Sequence, residues 1–116
     1  MTSIQDLVRA LRARDGVDAV VLLGRDGLVI DAQSTPHADP ERMAALVPLV
    51  VGAAEELGTQ SSRGSVATLV LEYAHGVAIV SPLGTDAVLL VLTTLPETGA
   101  LLYELRRNRS RLAALV

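Results

Sequence analysis

The two histidines are the first candidates for chemistry in this sequence, because an imidazole binds metal ions and transfers protons near neutral pH. His37 falls in a predicted loop and His75 in a predicted tight turn, and neither has a second ligand at a spacing such as His-x-x-x-His. The chain has no cysteine, which excludes disulfides, thiolate-bound zinc, cysteine-bound iron–sulfur clusters and thiol catalysis. We therefore expect no metal site and no cofactor.

The remaining reactive side chains form no pattern that specifies catalysis. Ser81 lies outside any nucleophile-elbow motif. Asp26, Asp31 and Asp86 fall in or beside predicted turns, where aspartate commonly bonds the local backbone. All ten cationic residues are arginine, so the chain lacks the lysine that a P-loop or a Schiff base requires. The sequence predicts no catalytic residue and a protein that is not itself an enzyme.

The strongest charge cluster is Arg106–Arg111, which holds four arginines in the last predicted helix. Cations near a helix C-terminus are favoured by the helix dipole, and such a run is most often a solvated face. The alternative is a surface for an acidic partner or for anionic lipid. We favour the solvated face.

Composition limits the class of protein. Half of the residues are hydrophobic and 20% are charged, which favours a folded chain, and 116 residues suit a single domain spanning 1–116. The net charge of −3 and the presence of only two aromatic residues, Tyr73 and Tyr103, argue against a nucleic-acid partner. The longest uncharged apolar run, Met43–Ala54, is shorter than the ~20 residues that span a bilayer, and the N-terminus lacks a signal-peptide block. We expect no membrane insertion and a cytoplasmic protein.

Hydrophobic periodicity and turn residues predict the element order α-β-β-α-β-β-β-α. Ser3 and Asp6 form an approximate capping box for the first helix, and Asp39 followed by Pro40 begins the second. A hairpin turn at Gly24–Gly27 accounts for both glycines without a phosphate-binding loop. Hairpin-length links make the five-stranded sheet antiparallel, so the fold class is α+β. The predicted elements are a helix from Ser3 to Asp15, strands Val17–Leu23 and Leu28–Ala32, a helix from Pro40 to about Leu57, strands Ser65–Tyr73, Val77–Ser81 and Ala87–Thr93, and a last helix from about Thr94 with a core stripe of Leu101, Leu105, Leu112 and Val116.

The predicted middle helix is apolar on more than one side, which is unusual for a surface helix. One face, expected to lie on the sheet, contains Met43, Leu46, Val47, Val50, Ala54 and Leu57. The nearly opposite face contains Ala45, Leu49 and Gly52, with Pro48 beside them. Small residues around one leucine favour close approach by another helix, so we predict a partner contact there. Its candidate rim residues are Glu41, Glu55 and Glu56. The alternative is a helix buried within its own domain.

The predicted strand Ser65–Tyr73 supplies a second candidate contact. It follows the long predicted middle helix and begins a three-strand meander, so we expect it at a sheet edge. Its centre, Val66–Leu71, has neither proline nor charge to protect that edge. Pairing with a second copy about a two-fold axis would cover the edge and the adjacent helix face together. We therefore predict a homodimer. The predicted dimer or partner interface combines the helix–helix contact of Ala45, Leu49 and Gly52 with Val66, Thr68 and Val70 of the strand; the alternative is an interior strand.

Several segments resemble the Roadblock/dynein-light-chain domains of bacteria. The hairpin Val20–Ile30 (VVLLGRDGLVI) is similar to their opening hairpin, and Leu71–Tyr73 with Ile79–Gly84 is similar to their central meander. Gly99–Arg107 (GALLYELRR) is similar to part of their last helix. The resemblance covers nearly the whole chain in the family's element order.

This resemblance implies a five-stranded antiparallel sheet with the first and last helices on one face and the middle helix on the other. It implies a homodimer in which the middle helices and the third strands pair, giving one continuous sheet across two chains. Members of the family bind or scaffold Ras-like small GTPases. In gliding-motility systems the homodimer promotes GTP hydrolysis by rearranging the GTPase's own residues, without an arginine finger.

The leading hypothesis is a homodimeric regulator or scaffold that binds a Ras-like small GTPase, with stimulated GTP hydrolysis as one form of that regulation. The alternatives are a signalling scaffold without GTPase activation and a sensor that holds a small ligand between helix and sheet. Few inward polar residues are available to recognise such a ligand. A third hypothesis is assisted hydrolysis with Arg25 or Arg63 inserted into a partner's site.

Overall fold

The chain folds into a five-stranded antiparallel sheet with helices on both faces, so the predicted α+β class is confirmed. The computed structural model describes residues 3–116. The elements are α1 (Ile4–Arg12), β1 (Val17–Gly24), β2 (Val29–Ser34), α2 (Pro40–Gln60), β3 (Leu69–Tyr73), β4 (Gly76–Leu83), β5 (Ala87–Thr93), a 3₁₀ turn (Leu95–Glu97), α3 (Thr98–Arg107) and α4 (Arg109–Ala113). The order is the predicted one, except that the last helix is divided at Asn108.

The strands lie side by side in the order β2-β1-β5-β4-β3, and every neighbouring pair is antiparallel. At the centre, Leu89 of β5 lies opposite Leu22 of β1 on one side and Ser81 of β4 on the other. β4 and β5 are almost continuously buried because they are interior strands whose alternate side chains pack into the two core layers. The two edges are β2 and β3, so the predicted edge position of the third strand is confirmed.

Alternation along the strands divides the core into two layers. In β1, Val20 and Leu22 pack with α1, α3 and α4, whereas Val21 and Leu23 pack with α2. The first and last helices therefore cover one face of the sheet and α2 covers part of the other, as the family resemblance implied.

The last helix buries most of its predicted apolar stripe against the sheet. Leu101, Leu105 and Leu112 are buried in the layer that also contains α1. Val116 is exposed, contrary to the prediction, because it lies beyond the end of α4.

Three of the four arginines in the predicted cluster, Arg106, Arg107 and Arg111, are exposed, as expected of a solvated face. Arg109 differs from them because it is half-buried. Its Nη2 donates a hydrogen bond to Thr68 Oγ1 at 2.9 Å, which ties α4 to the loop before β3.

The prediction for the sheet-facing side of α2 is wrong at two positions. Leu46 and Leu57 were expected on the sheet but are 59% and 70% exposed. The residues buried beneath α2 are Ala44, Val47 and Val51. The helix is turned by about a quarter of a turn from the predicted orientation, because its apolar residues surround most of the axis and small Ala44 lets the backbone approach the sheet. In residues 3–116 no helix, α2 included, meets the length and hydropathy needed to cross a membrane.

The third strand is shorter than predicted and begins at Leu69 rather than Ser65. Leu69 pairs with Val80, so an extended ladder would place Ala67 opposite Pro82, which has no N–H to donate. The loop bonds elsewhere: the Val66 N–H donates to Glu55 Oε1 at 3.2 Å. Of the three residues predicted in the strand contact, Val66 and Thr68 therefore lie outside the strand and Val70 lies within it.

The capping box at the start of α1 forms as predicted. The Asp6 N–H donates to Ser3 Oγ at 3.1 Å, and the Ser3 N–H donates to Asp6 Oδ2 at 3.2 Å. The backbone hydrogen bond from Ser3, supported by the Ser3 hydroxyl and by nearby Arg9, holds the pKa of the Asp6 carboxyl below its usual range.

This pKa shift predicts an acid-dependent loss of stability. A carboxyl whose pKa is lower in the folded state stabilises the protein above its unfolded-state pKa of about 4, and that contribution is lost as the pH falls through the folded-state pKa. We expect the free energy of unfolding of Asp6→Asn to fall less steeply than that of the wild type between about pH 5 and pH 3. Urea titrations at each pH measure this, with Asp15→Asn as the control; identical slopes for wild type and Asp6→Asn would contradict it.

Candidate interaction surface

The outer face of α2 carries an unusual number of exposed apolar side chains. Leu46, Leu49 and Leu57 are each more than half exposed, and Leu49 reaches 70%. We define the outer face of α2 as the exposed residues Ala45, Leu46, Leu49, Gly52, Ala53 and Leu57. Exposed apolar residues grouped on one helix face usually mark an interaction site rather than a solvated surface.

An open groove lies beside α2, over the part of the sheet that the helix covers least. α2 packs mainly over β2 and β1, so it covers the same face of β3 and β4 only in part. The groove, which we call the α2–β3 groove, has a volume of about 660 Å³. Its apolar lining comes from Met43, Leu46, Val47 and Val50 of α2 and from Leu71, Tyr73, Val77, Ala78, Val80, Leu90 and Leu92 of the sheet. Because this lining is mainly apolar, the groove favours an apolar occupant and has few side chains suited to acid–base catalysis.

The groove continues to the free edge of β3. Leu71 and Tyr73 line the groove, whereas Val70 projects to the opposite face of the strand and is exposed. β3 pairs with β4 on one side only, so its other side presents backbone groups without a neighbouring strand. An open strand edge beside an open apolar groove is a combined surface for one partner.

The predicted helix contact, Ala45, Leu49 and Gly52, is exposed in the structure, but it lies away from the groove. Gly52 faces the opposite flank, where a cavity of about 190 Å³ also contains Arg25 and Pro48. α2 therefore has two exposed apolar sides, one toward β3 and one toward the β1–β2 turn.

Sequence reasoning missed the groove residues as contact candidates because it assigned them to the sheet. Met43, Leu46, Val50 and Leu57 were all placed on the buried face, and the structure leaves Leu46 and Leu57 exposed and Met43 and Val50 half-buried. The signal that could have found them is the excess of apolar residues over what one face of a helix can bury.

The three predicted rim glutamates have different environments. Glu41 is exposed in the first turn of α2, and Glu56 is exposed and accepts a hydrogen bond from Gln60 Nε2 at 2.9 Å. Glu55 is half-buried and accepts a hydrogen bond from the Val66 N–H, so it stabilises the loop before β3. Glu41 and Glu56 are therefore the two glutamates free to meet a partner.

The turn between β1 and β2 supports α2 through Gly27. Gly27 has a φ of +87°, and a Cβ at this position would lie 3.3 Å from Pro48 Cγ and 3.4 Å from the Ala44 carbonyl oxygen. The turn backbone therefore fits directly against α2, and a side chain there would meet both strain and a close contact.

We expect Gly27→Ala to lower the free energy of unfolding by about 1–2 kcal/mol, because alanine is disfavoured in the left-handed region. Gly99→Ala is the matched control: Gly99 lies in α3 with open space around its Cβ position, so alanine should be neutral or slightly stabilising there. Guanidinium denaturation of both variants measures the difference. Equal stabilities would show that Gly27 is not required by the turn.

The candidates for catalysis do not form a site. Ser81 is 2% exposed within the sheet, and His37 and His75 are exposed on separate loops, with His75 at the mouth of the α2–β3 groove. Among residues 3–116, no three His, Cys, Asp or Glu side chains are grouped closely enough to hold a metal ion. The arrangement supports binding through apolar contact.

Sequence and structure comparisons with known proteins point to the same family. Residues 3–93 match the Roadblock/LC7 domain. Two uncharacterized proteins of Methanocaldococcus jannaschii are each 26% identical to this chain over 113 residues, covering 97% of it and 98% of each relative.

The similarity extends to solved structures. A Roadblock/LC7 domain from Streptomyces avermitilis has a TM-score of 0.81 and 25% identity, covering 97% of this chain and 93% of that one. The gliding protein MglB from Thermus thermophilus has a TM-score of 0.82 and 17% identity, covering 96% and 86%. MglB in a tetrameric arrangement has the same TM-score and identity, covering 96% and 85%. At 17% identity the MglB structures show a common fold.

Proposed function

Since the chain belongs to the Roadblock/LC7 domain family, we propose that it forms a homodimer that binds a Ras-like small GTPase as a regulator or scaffold. The observation that supports this most strongly is the continuity of the α2–β3 groove with the outer face of α2 and the free edge of β3. An apolar surface of this kind favours a protein partner. In this proposal the chain itself catalyses no reaction.

A second copy of the chain fits the groove and the strand edge at the same time. Pairing of β3 with β3 of the second copy about a two-fold axis joins the two sheets and brings the two grooves together. Each α2 then borders a shared apolar space that includes Met43, Leu46 and Val50. Such a contact uses the same surface on both copies and closes on itself, so it gives a dimer rather than a fibre. The tetrameric arrangement of MglB is a precedent for assembly in this fold.

The part of the outer face that a second copy leaves free is the proposed GTPase-binding surface. Leu49 lies outside the groove lining, beside Ala45 and Gly52. A Cβ at Gly52 would have no neighbour within 4 Å, so a partner can approach the helix backbone closely. Glu41 and Glu56 add an acidic rim, which would complement an apolar partner surface edged with cations.

Regulation in this proposal works through the GTPase's own residues, as the family resemblance implies. The competing hypothesis, an arginine finger, requires a guanidinium that projects freely toward the partner. Arg25 is less suited to that role because its Nη2 donates to the Gly84 carbonyl oxygen at 3.1 Å, which holds it on the β4–β5 turn.

A pull-down in two nucleotide states tests the function. The purified chain is immobilised and exposed to lysate of its own organism with GDP or, separately, with a non-hydrolysable GTP analogue, and the bound proteins are identified by mass spectrometry. Recovery of a Ras-like GTPase supports the proposal, and a preference for the analogue makes stimulated hydrolysis the next measurement. Recovery of a kinase or a motor subunit without a GTPase favours a signalling scaffold, and recovery of none of these counts against GTPase binding.

The α2–β3 groove also keeps the sensor hypothesis open to test, because its volume falls in the range of small-molecule sites. A thermal-shift screen against nucleotides and metabolites separates the two functions. Stabilisation by one small molecule would favour the sensor, whereas a flat screen together with a dimeric mass would favour a groove covered by protein.

A further inference from the structure

A second cleft, separate from the α2–β3 groove, has two arginines in its lining. It has a volume of about 540 Å³ and lies between the loop before β3 and the β4–β5 turn. Its lining consists of Arg25, Glu55, Ser65, Val66, Ala67, Pro82, Gly84, Thr85 and Arg109. Arg25 comes from the β1–β2 turn and Arg109 from the first turn of α4, so only the folded chain assembles this pair.

Arg25 is held in place with donors to spare. Its Nη2 donates to the Gly84 carbonyl oxygen at 3.1 Å, and its backbone N–H donates to the Asp86 carbonyl oxygen at 3.1 Å. A guanidinium has five N–H donors, so most of those on Arg25 remain available to a ligand. The side chain is exposed and can be reached from solvent.

Arg109 has a buried donor that lacks an acceptor. Its Nη2 donates to Thr68 Oγ1 at 2.9 Å, but its Nε is buried and has no hydrogen-bond partner among residues 3–116. Because the Nε is enclosed by protein atoms, an anion in the cleft would have to bind the other N–H groups of this guanidinium.

The acidic residues nearby leave both guanidinium groups without a carboxylate partner. Within the described part of the chain, neither Arg25 nor Arg109 forms an ion pair. Glu55 also lines the cleft, but its Oε1 already accepts from the Val66 N–H. Asp26 is likewise engaged, since its Oδ1 accepts from the Leu28 N–H at 3.0 Å. Two cations against one carboxylate leave the cleft lining with an excess of positive charge.

We propose that Arg25 and Arg109 bind a phosphate oxyanion in this cleft, either as free phosphate or as a phosphate monoester. Phosphate offers acceptor oxygens in several directions and suits planar guanidinium groups that approach from different elements. Ser65 and Thr85 also line the cleft, and each carries a hydroxyl, a donor of the kind that phosphate accepts from. The proposal is independent of the GTPase hypothesis because every group in it belongs to one copy of this chain.

The test is a titration of the ¹⁵N-labelled chain with inorganic phosphate and, in a second arm, with O-phosphoserine, followed by amide chemical shifts at constant ionic strength. We expect saturable shifts at residues 65–68 and 84–86. Tighter binding of phosphoserine would identify the monoester as the ligand, and equal or weaker binding would identify free phosphate; both results support the site. Shifts that rise linearly without saturation, or equal saturation by acetate, would overturn it.

Three variants tie the binding to the cleft. Arg25→Gln and Arg109→Gln should each weaken phosphate binding by at least about tenfold, as expected for loss of a charge-assisted hydrogen bond. Arg111→Gln is the matched control, because that exposed arginine donates to Oδ1 of Asn108, the N-cap residue of α4, and does not line the cleft. This variant should bind phosphate as the wild type does. If Arg109→Gln disturbs the loop before β3, the phosphate affinity of Arg25→Gln alone tests the assignment. Wild-type affinity in Arg25→Gln would overturn the assignment.

Discussion

Leu46→Arg should convert the proposed homodimer into a monomer of about 12.2 kDa. Leu46 lines the α2–β3 groove that we propose a second copy covers. Because a two-fold contact repeats every substitution, the variant would bring two uncompensated cations into one apolar space. Like charges in an interface cost several kcal/mol, so self-association should weaken by at least about a hundredfold. Light scattering across a concentration series measures the change.

The variant is expected to fold, because Leu46 is more than half exposed and the residues buried beneath α2 are Ala44, Val47 and Val51. Unchanged circular dichroism would confirm this. Leu28→Arg is the matched control: Leu28 is as exposed as Leu49 but lies just before β2, at the other edge of the sheet, so the dimer should persist. A wild type that is monomeric at every concentration, or a Leu46→Arg protein that remains dimeric, would refute the groove as the dimer contact.

Leu49→Arg should have the opposite pattern, with the dimer retained and GTPase binding lost. Leu49 is 70% exposed on the outer face of α2 and lies outside the groove lining. If it is the apolar anchor of the GTPase contact, replacing it by a charged residue should cost at least about 2 kcal/mol, or roughly thirtyfold in affinity. The measurement is calorimetry with the GTPase recovered in the pull-down, in the nucleotide state that it prefers.

Tyr103→Arg is the matched control here, because Tyr103 is 66% exposed on α3, which covers the opposite face of the sheet from α2. This variant adds the same charge away from α2 and should leave GTPase affinity unchanged. The Leu46→Arg and Leu49→Arg pair separates the two functions of α2, because each variant is expected to lose one interaction. An unchanged dimer mass together with an unchanged GTPase affinity in Leu49→Arg would remove the outer face from the proposal. Loss of the dimer in Leu49→Arg would instead extend the dimer contact across α2.

The α2 helix illustrates how far the sequence can be taken. Its start at Asp39 and Pro40 and its surplus of apolar residues are visible in the sequence, and both are present in the structure. The side that contacts the sheet could not be obtained in the same way. Periodicity shows which residues share a face, but a helix that is apolar around most of its circumference has several faces that could be buried. Packing of Ala44 close to the sheet selects one of them.

The third strand shows a second limit. Its place in the chain order and at the sheet edge follows from the meander pattern, and β-favouring residues extend upstream to Val66. The strand nevertheless begins at Leu69, because Glu55 and Arg109 bond the preceding loop and Pro82 cannot donate to it. Those partners are 11 to 41 residues away in the chain, so no local pattern indicates them.

Local information is therefore sufficient for the element order, the antiparallel sheet, the capping box of α1 and the lack of thiol and lysine chemistry. These follow from the identity and spacing of residues near one another in the chain, since helices, hairpins and caps form from short-range contacts. The α2–β3 groove and the cleft that both Arg25 and Arg109 line depend on tertiary structure. They arise because packing brings distant elements together and leaves part of one sheet face uncovered, and side-chain patterns along a single element do not encode that geometry.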